Sequence, residues 1–576
     1  LAKCGCLTPL PTLRGKRRDN MLYYFNIHTC NHACPHRAAR TEAGWVCGRL
    51  RRDSAGGEYA SFRGVPYAKQ PLGELRFQEL QPPEPWEGVL NGSTEGPICP
   101  QTDVFYGRVA QPQGMSEACI HANVHVPADA VPGAGDDAKL PILVFVHGGG
   151  FMFGSGDADL HGPEYLVTKR VIVVTFNYRL NVFGFLSLNS TSIPGNNGLK
   201  DVMTLLRWVR RNARAFGGDP NAITLAGQSA GAVMAHLLTL TPSAHGLFQK
   251  AIISSGTALT EFLSSSQLFA KSVANMFIAK VGIDPQLDAE EIHRLLIDTP
   301  LDTIMEANRN LINFFGLMGF TPVIETPFPG VTTIMDANPE VLVDAGQGRH
   351  VPLLIGFTDE ECQSFRPRLE QIDIAAKIQA LPIVSVPSNL IYRLPESNLP
   401  VLTKLIHNRY FNETVDVENF ANLCTDVYYK YPALKLASKR IGSSAPTFLY
   451  RFAYGGRHSA LKEAWGLEFP GAGHVEDIMY FFRVNSVLGP VVDNELTKTD
   501  DDTKMKHRMM DFIVNFMKHS HPFPGPHGQS RWPSVQRPLQ YQNIAGPNHI
   551  HLSRPTADEA DLTDFFNSLY TMSPGE

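Results

Sequence analysis

A serine set between two glycines is the first candidate for chemistry in this 576-residue sequence. Residues 227–231 read Gly-Gln-Ser-Ala-Gly, with Ser229 at the centre. The apolar residues 222–226 come directly before this pattern, and the mainly apolar residues 232–238 come soon after it. The order predicts a strand, a tight turn and a helix, with the serine at the tip of the turn. Glycine on both sides allows the sharp turn and leaves room for a substrate above the hydroxyl.

A serine hydroxyl attacks a carbonyl only with help from other groups. It needs a base to take its proton, and the negative oxygen that forms needs hydrogen-bond donors placed in advance. Residues 147–151 read His-Gly-Gly-Gly-Phe and follow the apolar run 140–146. Glycines there allow backbone N–H groups to face a substrate, although a triple glycine is also typical of a flexible turn. Its place after a buried strand favours a functional role, so we assign three oxyanion donors, Gly149, Gly150 and Ala230.

An acid to orient the base is expected between the serine and the histidine in the chain. The apolar run 352–357 is followed by residues 358–362, Thr-Asp-Glu-Glu-Cys. An acidic run in a loop is usually a solvated surface, and only one of these acids can orient a histidine. The residues alone leave three candidates, Asp359, Glu360 and Glu361.

A histidine base is less easily found, because the chain has 20 histidines. Residues 471–477, Gly-Ala-Gly-His-Val-Glu-Asp, form a glycine-bearing loop before an apolar segment. His474 in such a loop could reach a serine at the sheet edge, but no spacing rule distinguishes it from the other histidines.

Strands and helices that alternate along the chain must position these groups. The β-branched runs 140–146 and 171–176 fit strands that are buried on both faces. Apolar residues at helical spacing follow them, namely Leu199, Val202, Leu206 and Val209, and further strands are expected at 352–357 and 448–452. The alternation predicts an α/β fold with a large, mostly parallel, twisted sheet and helices on both faces. Catalytic groups should lie at the carboxyl ends of the strands.

The composition is that of an ordinary globular protein, with 43% hydrophobic residues, 19% charged residues and a net charge of −5. This balance gives no reason to expect a nucleic acid or an anionic membrane as partner. The most apolar stretch, 171–188, is interrupted by Asn177, Arg179 and Asn181, so no membrane span is expected. The chemistry outlined above needs no metal or cofactor, and we expect a monomer.

The first forty residues differ from the rest of the chain. Residues 1–41 are basic and show no helical or strand period, so we expect a disordered leader before a single domain at 42–576. Five side chains of the types that bind zinc give an alternative interpretation: His28, Cys30, His32, Cys34 and His36. Structural zinc sites usually pair a second, distant ligand set, which disfavours zinc here. A continuous apolar stretch typical of a secretory signal is not visible.

Residues from about 42 to 560 resemble the type-B carboxylesterase/cholinesterase family. The resemblance rests on the motifs above, on residues 62–68 (Phe-Arg-Gly-Val-Pro-Tyr-Ala) and on residues 216–220 (Phe-Gly-Gly-Asp-Pro). It implies an α/β-hydrolase fold, with Ser229 as nucleophile, Glu361 as acid and His474 as base. It also implies a disulfide between Cys99 and Cys119, and hence an oxidising, extracellular location. Three glycosylation sequons are compatible with secretion: Asn91, Asn189 and Asn412.

Within the family, the chain is similar to the subfamily of insect juvenile hormone esterases, because Gln228 stands where most relatives carry glutamate. The similarity implies hydrolysis of the methyl ester of a long apolar hormone, which needs an apolar pocket. Candidates for its lining, which could equally be core residues, are Phe151, Phe314, Phe315, Leu317, Met318, Phe320 and Phe328. Two alternatives remain: a general insect carboxylesterase for xenobiotic or odorant esters, and a non-catalytic cholinesterase-like adhesion protein.

Overall fold

The computed structural model shows alternate residues of one central strand facing two different hydrophobic clusters. In β6 (Leu140–Val146), Ile142 and Val144 pack into the larger cluster, whereas Leu143 and Phe145 pack into a second cluster. Side chains alternate between the two faces of a strand. A strand that is apolar at every position is therefore buried on both faces, as the sequence predicted.

The structure describes residues 37–105, 114–132, 139–260, 266–316, 319–387, 390–391, 394–412, 414–457, 459–492, 494–525 and 532–572.

The described strands form one 13-stranded mixed sheet, and most of them lie in the order β1-β2-β3-β5-β7-β6-β8-β9-β10-β11-β12-β13, with β4 beside β2. The pairs from β7 to β12 are parallel, and the pairs towards both edges are antiparallel except for the parallel pair of β4 with β2. The other strands are β1 (Arg37–Arg40), β2 (Trp45–Arg52), β3 (Glu58–Pro66), β4 (Val89–Asn91), β5 (His121–Pro127), β7 (Ile172–Phe176), β8 (Gly218–Gln228), β9 (Lys250–Ser254), β10 (Leu353–Thr358), β11 (Thr447–Phe452), β12 (Tyr541–Gly546) and β13 (His549–Ser553).

Helices pack on both faces of this sheet, which gives the α/β-hydrolase fold. They are α1 (Asn181–Phe185), α2 (Asn197–Asn212), α3 (Ala230–Leu240), α4 (Gln267–Lys280), α5 (Ala289–Asp298), α6 (Leu301–Phe315), α7 (Pro339–Asp344), α8 (Arg366–Gln371), α9 (Ile374–Ala380), α10 (Leu399–Tyr410), α11 (Val417–Thr425), α12 (Tyr431–Lys439), α13 (Ala460–Trp465), α14 (Asn485–Leu488), α15 (Asp501–His519) and α16 (Ala557–Tyr570). Helix α3 contributes to the larger cluster and α15 to the second, so the two helices cover opposite faces.

Regular structure begins earlier than the sequence predicted. The leader was expected to end at residue 41, but β1 already pairs antiparallel with β2 through contacts such as Arg40 with Trp45. The hydrogen bonds of this local hairpin order residues 37–40, which the basic composition of the segment did not show. The candidate zinc ligands at positions 28–36 lie outside the described residues.

No helix in the described part of the chain is long and apolar enough to cross a membrane.

Candidate active site

Ser229 occupies a strained turn between strand β8 and helix α3. Its backbone angles are φ 57° and ψ −126°, a region that a residue with a side chain rarely adopts. The flanking glycines are required by close approach: a Cβ on Gly227 would lie 2.2 Å from the oxygen of Gly231. The serine is 7% exposed, and its amide donates to the oxygen of Ser254 at 2.9 Å. The turn thus presents the hydroxyl at the carboxyl end of a central strand.

Glu361 and His474 lie in contact at the same edge of the sheet. Glu361 begins a 3₁₀ turn (Glu361–Phe365) directly after β10. Its Oε2 lies 2.5 Å from Nδ1 of His474, and its Oε1 accepts the amide of Thr358 at 2.8 Å. Both side chains are buried. A carboxylate facing Nδ1 makes that nitrogen the protonated one, which leaves Nε2 as the acceptor.

The two acids beside Glu361 point elsewhere. Asp359 accepts the amide of Ala472 at 2.8 Å, and burial raises its pKa. Burial, together with the neighbouring Asp359, raises the pKa of Glu360 to about 7. Of the three candidates that the sequence left open, only Glu361 is hydrogen-bonded to His474 in the described structure.

Two aromatic rings hold the imidazole of His474. Phe365 ends the 3₁₀ turn, and its ring centroid lies 5.0 Å from the centroid of the imidazole. The ring centroid of Tyr429 lies 4.9 Å from the same point. Tyr429 lies in a short π-helical segment (Asp426–Lys430) that follows α11. Neither residue was predicted from the sequence, because no local pattern shows that these segments meet at the histidine.

The glycine loop after β6 lies against the serine turn. Gly149 and Gly150 have φ values of 105° and 60°, which favour glycine, and Ala230 is the first residue of α3. Within the described residues, none of these three backbone amides donates to a protein acceptor. They are therefore available to a ligand, which suits oxyanion donors.

His147 supports this loop and is not positioned as a base. Its ring stacks on Tyr178 at 4.3 Å, and its Nδ1 is 2.8 Å from the oxygen of Gly148. Burial lowers its pKa to about 4, so the ring is neutral at physiological pH.

The candidate pocket residues are not gathered in one place. Phe151 is buried against Phe185, Phe315 is half-buried against Phe269, and Phe320 is buried against Phe277. Phe328 is half-buried. Leu317 and Met318 lie outside the described residues.

Phe314 does not fit the wall of an enclosed pocket, because its side chain is 66% exposed. In the last turns of α6, Leu311 and Ile312 face the core. The helical period therefore turns Phe314 outward, and its side chain lines no enclosed pocket among the described residues.

A cavity of about 540 Å³ adjoins the turn that carries Glu361. Its lining includes Ser364, whose hydroxyl donates to the main-chain oxygen of His474 at 3.4 Å. Phe105, also in the lining, contacts Phe153, Phe365 and Trp465. Phe105 in the lining thus contacts Phe365, which in turn packs against the imidazole of His474.

Two disulfides brace the region. Cys99 is joined to Cys119, and Cys362 is joined to Cys424. The second bond was not predicted. It ties the residue next to Glu361 to helix α11, where the amide of Cys362 also donates to Thr425 Oγ1 at 3.0 Å.

The asparagines of the three sequons, Asn91, Asn189 and Asn412, are exposed. Among the described residues, no group of three or more histidines, cysteines, aspartates and glutamates is arranged to hold a metal ion.

Comparison with known proteins decides the family. Residues 35–560 match the carboxylesterase family. The chain belongs to the carboxylesterase family. This esterase is 50% identical over 541 residues to juvenile hormone esterase of Heliothis virescens, a match that covers 93% of the chain and 95% of the relative. It is 30% identical to juvenile hormone esterase of Tribolium castaneum, over 91% of the chain and 90% of the relative.

Solved structures agree with this assignment. The crystal structure of juvenile hormone esterase from Manduca sexta, with OTFP covalently attached, is 52% identical to the esterase and superposes with a TM-score of 0.90. That match covers 93% of the esterase and all of the Manduca chain. PNB esterase, at 28% identity, gives a TM-score of 0.70 over 92% of the esterase and 99% of its own chain. The esterase is a carboxylic ester hydrolase, and the matches do not favour the non-catalytic adhesion protein.

Proposed function

We propose that this esterase hydrolyses the methyl ester of juvenile hormone to the acid and methanol, through an acyl-enzyme on Ser229. The observation that carries the catalytic part is the 2.5 Å hydrogen bond between Glu361 Oε2 and His474 Nδ1, which leaves Nε2 as the basic nitrogen. The relatives named juvenile hormone esterase, at 50% and 52% identity over nearly the whole chain, support the choice of substrate.

In the first half of the reaction, the Ser229 oxygen attacks the ester carbonyl while Nε2 of His474 takes the hydroxyl proton. Glu361 stabilises the imidazolium that results. The carbonyl oxygen becomes negative and receives hydrogen bonds from the amides of Gly149, Gly150 and Ala230, each of which lowers the barrier by roughly 3 kcal/mol. His474 then gives its proton to the departing methoxide, and methanol leaves.

In the second half, a water molecule takes the place of the alcohol. His474 removes a proton from the water, and the resulting hydroxide attacks the acyl carbonyl. Collapse of the second tetrahedral intermediate returns the proton to Ser229 and releases the carboxylic acid. The steps balance with the ester and one water molecule as reactants, and the chain supplies every group that moves a proton.

The enzyme acts outside the cell and as a monomer in this proposal. The two disulfides, Cys99–Cys119 and Cys362–Cys424, suit an oxidising compartment. The asparagines of the three sequons are exposed on the surface, as N-glycosylation requires. All the proposed catalytic residues come from one chain, so the site is complete without a second copy.

The catalytic part is tested with Ser229→Ala. We expect this variant to lose ester turnover and covalent labelling by an organophosphate. Labelling that persists in the variant would rule out Ser229 as nucleophile. Wild-type activity should also fall on acidification, as the base becomes protonated, and a flat profile from about pH 5 to 8 would contradict the role of His474.

The substrate is tested separately, by comparing kcat/KM for juvenile hormone at nanomolar concentration with kcat/KM for naphthyl acetate. A large preference for the hormone supports the proposal. A preference for naphthyl acetate would instead indicate a general carboxylesterase with the same catalytic residues.

A further inference from the structure

The side chain of Gln228 contacts the nitrogen of His474 that serves as base in the proposed function. Gln228 Nε2 lies 3.0 Å from His474 Nε2, and the glutamine is 1% exposed. In the described structure, the hydroxyl of Ser229 has no hydrogen bond to this nitrogen. The residue before the nucleophile therefore holds the base in the free enzyme.

The direction of this hydrogen bond follows from the other side of the ring. Because Nδ1 of His474 donates to Glu361, Nε2 of the neutral ring is an acceptor, and the amide N–H of Gln228 is the donor. Phe365 and Tyr429 pack against the same imidazole. The ring is thus held at both nitrogens and by two aromatic side chains before any substrate arrives.

Space for the glutamine amide comes from the first glycine of the loop after β6. A Cβ on Gly148 would lie 2.5 Å from Oε1 of Gln228 and 3.0 Å from Cβ of Ser229. The first of these distances is shorter than real Cβ atoms show, and the same Cβ would lie 2.9 Å from the main-chain oxygen of Gln228. Gly148 therefore leaves room for the carboxamide of Gln228, whereas Gly149 and Gly150 serve the oxyanion in the proposed mechanism.

Protonation of His474 changes which atom of Gln228 can form a hydrogen bond with Nε2. Once Nε2 carries the serine proton it becomes a donor, and an amide N–H facing it would be repelled. A carboxamide can turn to present its oxygen, which accepts from the imidazolium until the proton passes to the departing methoxide. Neither a carboxylate nor an apolar side chain offers both a donor and an acceptor.

We propose that Gln228 is a positioning residue for His474: its amide N–H holds Nε2 in the resting enzyme and is replaced there by the Ser229 hydroxyl when the reaction begins, and its oxygen accepts from Nε2 while the ring is protonated. The role rests on the proposed function, in which His474 is the base.

Two variants of similar length separate the electrostatic role from packing. Gln228→Met keeps a long unbranched side chain but cannot hydrogen-bond, so we expect kcat to fall about tenfold with KM changed by less than twofold. Gln228→Glu places a negative charge beside Nε2, which favours the imidazolium. We therefore expect the acid limb of the kcat/KM profile to move to higher pH by about one unit in this variant.

The other charged groups that face His474 are constant across these variants. Glu361 contacts the ring directly, and the buried Asp477, which accepts from Tyr450 at 2.8 Å, acts on it electrostatically. A shift of the acid limb in Gln228→Glu alone is therefore assigned to position 228. The matched control is Gln542→Met, the same substitution at another buried glutamine, which should leave kcat and the pH profile unchanged.

The inference is supported if Gln228→Met loses kcat and Gln228→Glu shifts the acid limb upward. It is overturned if Gln228→Met keeps wild-type kcat, or if the acid limb of Gln228→Glu does not move. Titration of active sites with an organophosphate corrects both rates for misfolded protein. Failure of the proposed function is distinguishable, because it would appear as activity that persists in Ser229→Ala, whatever happens at position 228.

Discussion

Glu361 and His474 are joined twice, once between their main chains and once between their side chains. The amide of His474 donates to the main-chain oxygen of Glu361 at 3.1 Å, and Nδ1 of the histidine lies 2.5 Å from the glutamate carboxylate. The two residues are 113 positions apart in the chain. The main-chain bond fixes the distance between the two loops, so the side-chain bond forms without a further search of loop conformations.

Replacing Glu361 should affect catalysis far more than replacing its neighbour. Glu361→Gln fits the same space, but its amide can donate to Nδ1 and so favours the wrong tautomer of His474. We expect kcat to fall by about 10⁴-fold. Glu360→Gln is the matched control and should keep kcat within twofold, because its side chain has no hydrogen bond to His474 in the described structure. Equal losses in steady-state assays of the two variants would contradict the assignment.

Substitutions of Phe365 and Phe314 should differ in their effect on the steady-state kinetics of ester hydrolysis. Phe365→Leu removes the ring that packs 5.0 Å from the imidazole of His474, and we expect kcat to fall about three- to tenfold. Phe314→Leu changes a side chain that is 66% exposed, and kcat/KM should stay within twofold of wild type. A larger loss for Phe314→Leu would show that this residue contacts the substrate after all.

Removal of the unpredicted disulfide should reduce both stability and activity. The bond between Cys362 and Cys424 closes a span of 62 residues, for which loop entropy gives about 4 kcal/mol of stabilisation. We expect the double alanine variant to unfold at lower temperature in calorimetry, and its kcat to fall because the turn bearing Glu361 is no longer tied to α11. For the span of 20 residues between Cys99 and Cys119 the corresponding loss is about 3 kcal/mol. An unchanged unfolding temperature after removal of Cys362–Cys424 would show that the bond does not form in solution.

The pH dependence of stability should reveal the buried histidine at position 236. Burial, and then the charge of Arg440, lower the pKa of His236 to about 3. Between about pH 6.5 and pH 3 only the unfolded chain takes up this proton, so the stability that the neutral ring provides is lost as the pH falls. Between pH 7 and pH 5, His236 should lower the free energy of unfolding by about 2 kcal/mol.

His236→Asn can keep the acceptor for the amide of Ala258, which Nδ1 of the histidine binds at 2.9 Å. We expect the free energy of unfolding, measured in urea at pH 7 and at pH 5, to fall by about 2 kcal/mol less in this variant than in wild type. His551→Asn, at an exposed histidine, is the control for the substitution. If His236→Asn follows wild type, the imidazole is not held neutral by the fold.

Part of the proposed site could be predicted from the sequence because several of its requirements are local. A sharp turn between a buried strand and a helix needs small residues on both sides, so residues 227–231 predict the turn at Ser229 that the structure shows. The continuous apolar strand at 140–146 likewise indicates burial on both faces, and β6 occupies these residues. The assignment of Glu361 and His474 came from family resemblance, since the residues themselves left three acids and 20 histidines open.

Tertiary structure alone decided which side chains meet. The direction of a side chain in a 3₁₀ turn depends on where the next loop lies, so only the packed fold shows that Glu361, rather than Glu360, faces His474. Phe365 comes from the turn that carries Glu361, whereas Cys424 and Tyr429 come from α11 and the π-helical segment after it, and no sequence period connects these two parts of the chain. The same reason explains Gln228: the sequence marked it as unusual, but its contact with Nε2 of His474 exists only because the end of β8 meets a loop 246 residues further along the chain.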